Sequence, residues 1–197
     1  MLTDEQKKYR NSANRARREL FKEQEKFGFI SDSSGKRYRA CVYYVLSGAP
    51  EKAAEFMDWY EQEFTDDVGE PAFLLFAALA YYRTANLNKA SAYLLDAMLS
   101  NVYMLPKLFG ISLRKQDMWH ASNREMPGYI EQIADFLTEP TNEERDWIKH
   151  HFESSIFTDA RHKYIETFRA LQHADDYDIR KKLLDEWREY ESNLHTL

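Results

Sequence analysis

Apolar residues recur at steps of three and four along most of the chain, which is the spacing that places side chains on one face of an α-helix. Few runs of β-branched residues compete with this pattern. The six glycines and five prolines mostly fall where helices should begin or end. The pattern therefore predicts an all-α fold with about nine helices.

The first half of the chain divides into one long helix and four shorter ones. The long helix is predicted to be capped by Thr3 or Asp4 and to end near Gly28. Pro50 and Pro71 suit the first turn of two shorter helices. The four shorter helices pair as two hairpins. They are predicted at residues 36–47, 50–64, 70–84 and 87–99.

A third hairpin starts at residues 102–110 and is then interrupted. The polar segment 111–124 follows, and it is long enough to be a functional loop. The helical pattern resumes at Tyr129, continues to Leu137 and is stopped by Pro140. The caps predicted for the remaining helices are Thr141 or Asn142 with Glu144, then Thr158, and then Asp178.

Residues 36–64 match residues 73–101 as an internal repeat with an offset of 37 positions. The match is between small, aromatic and apolar positions rather than between charges. Small residues let helices approach closely, and tyrosines fill the space between hairpins. The matched pairs are Ala40 with Ala77, Cys41 with Ala78, Tyr44 with Tyr81, Gly48 with Ala85, Ala53 with Ala90, and Met57 with Leu94.

The second unit of this repeat resembles the tetratricopeptide (TPR) family, whose motif combines small residues, a tyrosine and bulky apolar residues at fixed positions. Leu74 stands where the family usually has Trp, and Val102 where it has Pro. The first unit departs further, with Arg37 at the Trp position and Tyr60 at a normally small one. The resemblance implies an α-α superhelix of helical hairpins with additional N- and C-terminal helices. Ala77 and Ala78 stand for the family's Leu-Gly pair, Tyr81 is retained, and Ala90, Leu94 and Ala97 follow in register.

A longer stretch, residues 35–147, is similar to bacterial TPR-like proteins and to the related segment of suppressor-of-tumorigenicity proteins. In those proteins the paired repeats end in a proline-containing turn, followed by a Glu-x-x-x-Tyr step and a Trp. Pro127 and Gly128 interrupt the helix expected there. This resemblance implies no particular activity. It rests on the run Asn101 to Pro106, on Phe109 and Gly110, and on Glu125, Tyr129 and Trp147.

The resemblance also implies which side chains face the concave groove of the superhelix, since the first helix of each TPR hairpin lines it. TPR domains that clamp a terminal carboxylate place Lys and Asn at these positions, and this chain does not. The face is instead apolar and rich in tyrosine. Its residues are Tyr38, Val42, Val45, Leu75, Leu79 and Tyr82, with Arg39 and Arg83 beside them.

An apolar face of this size must be covered, because exposed it would promote association. Three occupants remain open: the chain's own first or last helix, a second copy in a homodimer, or an amphipathic helix or apolar peptide from a partner. Aromatic and arginine side chains are favoured at interaction sites. The face is therefore the candidate binding site for a protein or peptide partner.

The net charge of −6 conceals an uneven distribution. Residues 1–40 carry a balance of +5 and the rest of the chain carries −11. The cations of the first helix suggest nucleic-acid binding as an alternative function. The same helix must also bury Tyr9, Ala16 and Leu20, so a stripe that follows phosphates would be narrow. We therefore rank nucleic acid behind a protein partner. The cations are Lys7, Lys8, Arg10, Arg15, Arg17, Arg18 and Lys22.

The single cysteine, Cys41, cannot form an internal disulfide and lies at a small packing position of the repeat. No N-terminal apolar run resembles a signal peptide, and the longest apolar stretch, residues 72–82, is too short to cross a bilayer. These features predict a cytoplasmic protein without a membrane segment.

Motifs for catalysis and for cofactor binding are absent from the sequence. No glycine-rich phosphate loop and no Gly-x-Ser-x-Gly nucleophile motif occurs, so no cofactor is predicted. The best metal set that can be assembled is Asp146, His150, His151 and His162, which lacks the usual zinc spacing, and no metal site is predicted. An enzyme or ligand site near segment 111–124 remains an alternative, since Asp117, Trp119 and His120 occur together there.

The sequence thus predicts three segments within one compact domain. Residues 1–34 form a basic N-terminal helix and its connection, residues 35–110 form two TPR-like hairpins and the start of a third, and residues 111–197 form an irregular loop and C-terminal helices that pack on the array. The function predicted from these features is that of a non-catalytic adaptor for protein–protein interaction.

Overall fold

The computed structural model describes residues 2–32 and 34–194. Over these residues the chain forms ten α-helices and two short 3₁₀ helices, without a β-strand. The predicted all-α class is therefore confirmed. The described part of the chain holds no helix with both the length and the apolar character needed to span a membrane.

The chain folds as two compact units, residues 1–97 and 98–197, and the division falls within the fifth helix. The first unit holds α1 (Asp4–Phe27), α2 (Lys36–Leu46), α3 (Pro50–Glu63), α4 (Pro71–Arg83) and most of α5 (Leu87–Ser100). The second unit holds α6 (Met104–Leu108), α7 (Pro127–Gln132), α8 (Asn142–Glu153), α9 (Ser155–His173) and α10 (Tyr177–Leu194). The 3₁₀ helices are Asn123–Glu125 and Phe136–Thr138.

Helix α4 lies at the centre of the first unit. Every residue from Pro71 to Tyr81 is buried, which suits a helix that is apolar on all sides. Helix α2 packs against α1, α3 and α4, and α3 also packs against α4. Leu20 on α1 is fully buried, so the basic first helix contributes its apolar face to the core.

The turn that closes each predicted hairpin has the same backbone geometry in both copies of the repeat. Gly48 has φ +69° and Ala85, its counterpart, has φ +60°. The N–H group of each donates to the carbonyl three residues earlier, at 2.9 and 3.0 Å. The next N–H group donates to the carbonyl of the repeat tyrosine, Tyr44 at 3.0 Å and Tyr81 at 2.9 Å. The sequence match at an offset of 37 is thus also a structural match at this turn.

The repeat tyrosines also have the same role in packing. The Tyr44 hydroxyl donates to Asn14 Oδ1 on α1 at 3.0 Å, and the Tyr81 hydroxyl donates to Asp58 Oδ1 on α3 at 3.0 Å. Each tyrosine is buried and bonds to the helix that precedes its own hairpin. Burial raises the pKa of Tyr81, so this hydroxyl stays protonated.

In the second unit, Arg145 binds three backbone carbonyls that lie at or near the ends of helices. Its guanidinium donates to the carbonyls of Leu108 at 2.9 Å, Leu137 at 2.7 Å and Pro140 at 3.0 Å. These bonds fasten the end of α6 and the turn after Phe136–Thr138 to the start of α8.

The caps of α1 and α8 are confirmed, whereas those of the last two helices were predicted wrongly. Thr3 and Thr141 each form a capping box with the residue three positions on. Helix α9 is capped by Ser154, not Thr158, because the Ser154 hydroxyl already accepts from an N–H group of the first turn. Helix α10 is capped by Asp176, not Asp178, since Asp176 Oδ1 accepts from two N–H groups at 2.9 and 3.0 Å.

The single helix predicted from Tyr129 to Leu137 was also wrong. Helix α7 ends at Gln132, and a turn and a 3₁₀ helix replace its continuation. The N–H groups of Phe136 and Leu137 donate to carbonyls three residues earlier, which tightens the chain away from α-helical geometry. The Arg145 bond to the Leu137 carbonyl supports this geometry.

Candidate functional site

The apolar side chains predicted to line a concave groove are mostly buried within the protein. Leu75 and Leu79 have no exposed surface, and Tyr38 is 6% exposed. Val42 and Val45 are also buried, and Tyr82 is half-buried. An apolar ligand could reach these side chains only after the parts of the chain that cover them moved.

Tyr38 belongs to a polar network that joins α2 to the turn before α4. Its hydroxyl donates to Asp67 Oδ1 at 2.7 Å and accepts from Arg37 Nη2 at 3.0 Å, and Arg37 also pairs with Asp67. Although burial favours the neutral acid, bonds from Tyr38, the Gly69 N–H group and Arg37 hold the pKa of Asp67 below its ordinary value. Tyr38 therefore links α2 to the turn before α4.

The two arginines predicted beside the groove differ in exposure. Arg39 is exposed, and its guanidinium donates to the Ser34 carbonyl at 3.0 Å. Arg83 is half-buried and donates to the Val45 carbonyl at 3.5 Å. Of the eight predicted groove residues, Arg39 is the one that is exposed, whereas the others are buried or half-buried.

Asp117 and Trp119, from the predicted loop site, pack against α9 and the start of α10. Asp117 Oδ2 lies 3.1 Å from His173 Nε2. The Trp119 ring stacks on the Phe168 ring with centroids 6.0 Å apart, and the backbone N–H group of Trp119 donates to the Phe168 carbonyl at 2.9 Å. The Arg180 guanidinium lies 5.6 Å from the Trp119 ring centroid. Both residues therefore anchor the segment to the second unit.

His120 contacts a different partner, the ring of Tyr103, at a centroid distance of 6.4 Å. Both of its ring nitrogens are shielded from solvent and lack a hydrogen-bond partner in the described structure. Burial, with a smaller effect from Lys115, lowers the pKa of His120. The three loop residues thus have separate environments.

Two further groups bear on catalysis and metal binding. In residues 2–32 and 34–194, no three His, Cys, Asp or Glu side chains are arranged to hold a metal ion. Cys41 is fully buried, and burial raises the pKa of its thiol. A buried thiol with a raised pKa is a poor nucleophile.

The cations of α1 are largely engaged within the first unit. Arg17 Nη2 lies 2.8 Å from Glu55, and Arg10 Nε donates to the Ser47 hydroxyl at 2.9 Å. Other pairs on the helix surface are Lys7 with Asp4 at 2.9 Å and Arg15 with Glu19 at 2.8 Å. These contacts reduce the positive charge that the helix presents to a phosphate backbone.

The second unit contains a cleft of about 470 Å³ beside α9. This volume lies within the range of about 300–1,000 Å³ found for ligand sites. One face of α9 contributes five lining residues over two turns, about 12 Å along the helix axis. They are Arg161, His162, Ile165, Glu166 and Arg169.

The remaining lining of the cleft is mostly apolar. Ile111 is 47% exposed and Leu113 is 38% exposed, so both present apolar surface to solvent at the cleft. Pro106 from α6 and Phe152 from α8 are buried, and they add further apolar surface. Gln116 is the one other polar residue of the lining.

The segment at residues 111–116 is held at its two ends and has no helix or strand between them. The Ile111 N–H group donates to the Pro106 carbonyl at 2.9 Å, and the Gln116 N–H group donates to the Tyr103 hydroxyl at 2.9 Å. Between these anchors the N–H groups of residues 112–115 have no acceptor among the described residues. Ile111, Leu113 and Gln116 of this exposed segment line the cleft, so an incoming chain can reach the neighbouring N–H groups.

Arg161 differs from the other charged residues of the cleft. Its Cζ lies 4.1 Å from the centroid of the Phe152 ring. Its Nη1 is shielded from solvent and has no hydrogen-bond partner in the described structure. Burial lowers the pKa of the guanidinium. Arg161 as a whole is half-buried, and its Nε and Nη2 atoms are not shielded in this way, so these two atoms can bond to an acceptor group of a ligand.

Sequence reasoning missed this cleft because its residues come from four separate elements. Apolar periodicity alone groups Ile165 with Tyr164 and Phe168 on one helix. Those two side chains are buried, whereas Ile165 is half-buried at the cleft. The signal that the sequence did contain was the spacing of Arg161, Ile165 and Arg169, which places two cations and an apolar residue on one helix face.

Comparison of the chain with protein-family models, with curated proteins and with solved structures finds no match.

Proposed function

We propose that this protein is a non-catalytic protein-interaction module. TPR-like hairpins in its first unit provide a helical scaffold, and the cleft beside α9 in its second unit binds a peptide segment of a partner. One observation carries the proposal: at this cleft, exposed apolar side chains lie next to backbone N–H groups that have no acceptor in the described structure.

The TPR-like part of the proposal is supported by the recurrence of local geometry in the first unit. The turns at Gly48 and Ala85 share their positive φ and their hydrogen bonds, and Tyr44 and Tyr81 each bond to the preceding helix. Repetition of one hairpin unit that contacts its neighbours is typical of helical-repeat proteins. Such proteins commonly serve as binding scaffolds.

A peptide can bond to the backbone N–H groups at the cleft and also contact its exposed apolar side chains. Alternate N–H groups within residues 112–115 can donate to the main chain of an extended partner, as in recognition by strand addition. Ile111 and Leu113 can pack against apolar side chains of the same partner. The buried face of α2 and α4 offers neither feature to solvent, so we place the partner at the cleft.

A selection from a library of short random peptides tests the proposal. Three proteins are compared as targets of the selection: the intact protein, the variant Ile111→Glu/Leu113→Glu, and the matched control Val68→Glu. Val68 is an apolar residue of the first unit that is 87% exposed. We expect the intact protein and the control to bind the selected peptides equally, and the cleft variant to bind them at least about tenfold more weakly, a difference of 1.4 kcal/mol.

Circular dichroism should show that all three proteins have the same helical content. If no peptide is enriched, or if the enriched peptides bind the cleft variant as tightly as the intact protein, the cleft is not a peptide site and the proposal fails.

A further inference from the structure

We propose that the cleft recognises a partner segment with an acidic side chain, which pairs with Arg161 while neighbouring apolar side chains contact Ile111, Leu113 and Ile165. This inference rests on the proposed peptide-binding function and specifies the chemistry of the peptide. It comes from the combination of an unsatisfied cation with apolar surface in a single cleft.

The first argument concerns Arg161 itself. A guanidinium has five N–H donors in a planar fork that matches a carboxylate. In the described structure none of the Arg161 donors forms a hydrogen bond, and no described carboxylate pairs with it. The Phe152 ring lies against the guanidinium and limits its access to water. A carboxylate from a partner can pair with Nε and Nη2, which are not shielded as Nη1 is.

The second argument concerns the charges of the whole cleft. Arg169 forms no ion pair in the described structure, and its contact with Gln116 Oε1 is 3.5 Å long. Glu166 is the one acidic residue of the lining, against the two arginines Arg161 and Arg169. The lining is therefore net positive. Glu166 also limits how much negative charge the cleft accepts, which favours one acidic side chain over an acidic run.

The third argument distinguishes a peptide segment from a free apolar acid. A small acid could pair with Arg161 but would leave the N–H groups of residues 112–115 unused. Ile111, Leu113, His162, Glu166 and Arg169 are all exposed along the cleft, so a chain can enter and leave it. A peptide segment that runs through the cleft can therefore make more hydrogen bonds and contacts with the site than a small molecule can.

The test uses three probes followed by methyl NMR of the intact protein. The first is the tetrapeptide Leu-Glu-Leu-Leu with both termini blocked, the second is the blocked Leu-Gln-Leu-Leu, and the third is N-acetyl-leucine, which carries only a terminal carboxylate. We expect the first peptide to shift the methyl signals of Ile111 and Ile165 with at least about tenfold higher affinity than the other two, the ratio that a charge-assisted bond of about 1.4 kcal/mol provides.

The variant Arg161→Met separates recognition from a structural role. We expect it to bind both peptides equally and to unfold at a temperature about 2–4 °C higher than the intact protein, because it removes an unsatisfied cation. Arg188→Met, on exposed α10 surface outside the cleft, should keep the preference for the Glu peptide.

The outcomes separate this inference from the function on which it rests. Equal binding of the Glu and Gln peptides at the cleft would overturn the acidic specificity and leave peptide binding intact. Equal binding of N-acetyl-leucine and the Glu peptide would replace the peptide by a small apolar acid. If Arg161→Met unfolds at a lower temperature and keeps the preference, Arg161 is structural. If neither peptide shifts the cleft signals, the acidic specificity is overturned, and the library selection decides the proposed function.

Discussion

The environment of His120 favours its neutral form. Both ring nitrogens are shielded from water without a hydrogen-bond partner in the described structure, and Lys115 adds a nearby positive charge. The pKa of His120 is therefore lower in the folded protein than the ordinary value of 6.5. Burial and the neighbouring His150 lower the pKa of His151 in the same direction.

This environment makes the stability of the protein depend on pH. A lowered pKa in the folded state means that the unfolded chain binds more protons at pH values near and below 6.5, so stability falls as pH falls. We expect the melting temperature of the intact protein to drop between pH 7 and pH 5.5. The melting temperature of the variant His120→Gln should drop less over the same pH range, because the variant lacks one of the groups that cause the drop. Thermal melts followed by circular dichroism measure both values. Equal drops would show that His120 titrates alike in both states.

The residues whose roles could be predicted from the sequence are those that act through their near neighbours. Thr3 and Thr141 form their capping boxes because the N–H group that donates to each hydroxyl lies three residues away, and a local pattern specifies that contact. Arg161 could not be predicted in the same way. Its lack of partners depends on which acids the fold brings near it, and that is a property of the tertiary structure.

Among the elements, the turn after α4 contains a residue that conflicts with its backbone conformation. Ala85 has φ +60°, whereas the matching position after α2 is Gly48. A side chain with a Cβ atom pays about 1–2 kcal/mol in this left-handed region, and glycine does not. The repeat thus has one turn with the favoured residue and one without it.

Exchanging these residues should change stability in opposite directions. We expect Ala85→Gly to raise the free energy of unfolding by about 0.5–1 kcal/mol, after allowing for the greater freedom of glycine in the unfolded chain. Gly48→Ala should lower it by about 1 kcal/mol. A Cβ atom at position 48 would meet its nearest neighbour, Gln6, at 3.6 Å, so no clash adds to this effect. Urea denaturation measures both changes. Changes of the same sign would contradict the shared turn geometry.

Periodicity predicted the elements well where one helix face is buried and a breaker stands at each end. Helices α2 to α5 are close to their predicted ranges because Pro50, Pro71 and the turn residues delimit them. Periodicity predicted the start of a helix poorly where several residues nearby could serve as its cap. Asp176 and Asp178 lie two residues apart, and the choice between them depends on where the chain leaves α9.

At the scale of the whole molecule, the pattern identified side chains of the core but did not identify the exposed cleft beside α9. Leu75 and Leu79 were predicted to face a groove because the TPR resemblance orients α4, yet α4 is buried on all sides from Pro71 to Tyr81. Whether a helix face is buried depends on which other parts of the chain cover it. The repeat pattern does not specify those parts. The cleft beside α9 depends on the same kind of long-range placement.

A charge substitution within the predicted groove distinguishes core from interface. Leu79 has no exposed surface, so we expect Leu79→Glu to lower the free energy of unfolding by about 3 kcal/mol or more, since it buries a charge without a partner. Arg39→Glu, on the exposed edge of the same predicted face, should change stability by less than about 1 kcal/mol. Urea denaturation measures stability, and light scattering measures the mass of each variant in solution. If Leu79→Glu instead keeps the stability of the intact protein and converts a dimer to a monomer, the side chain lies at an interface between copies, and the predicted groove is a self-association surface.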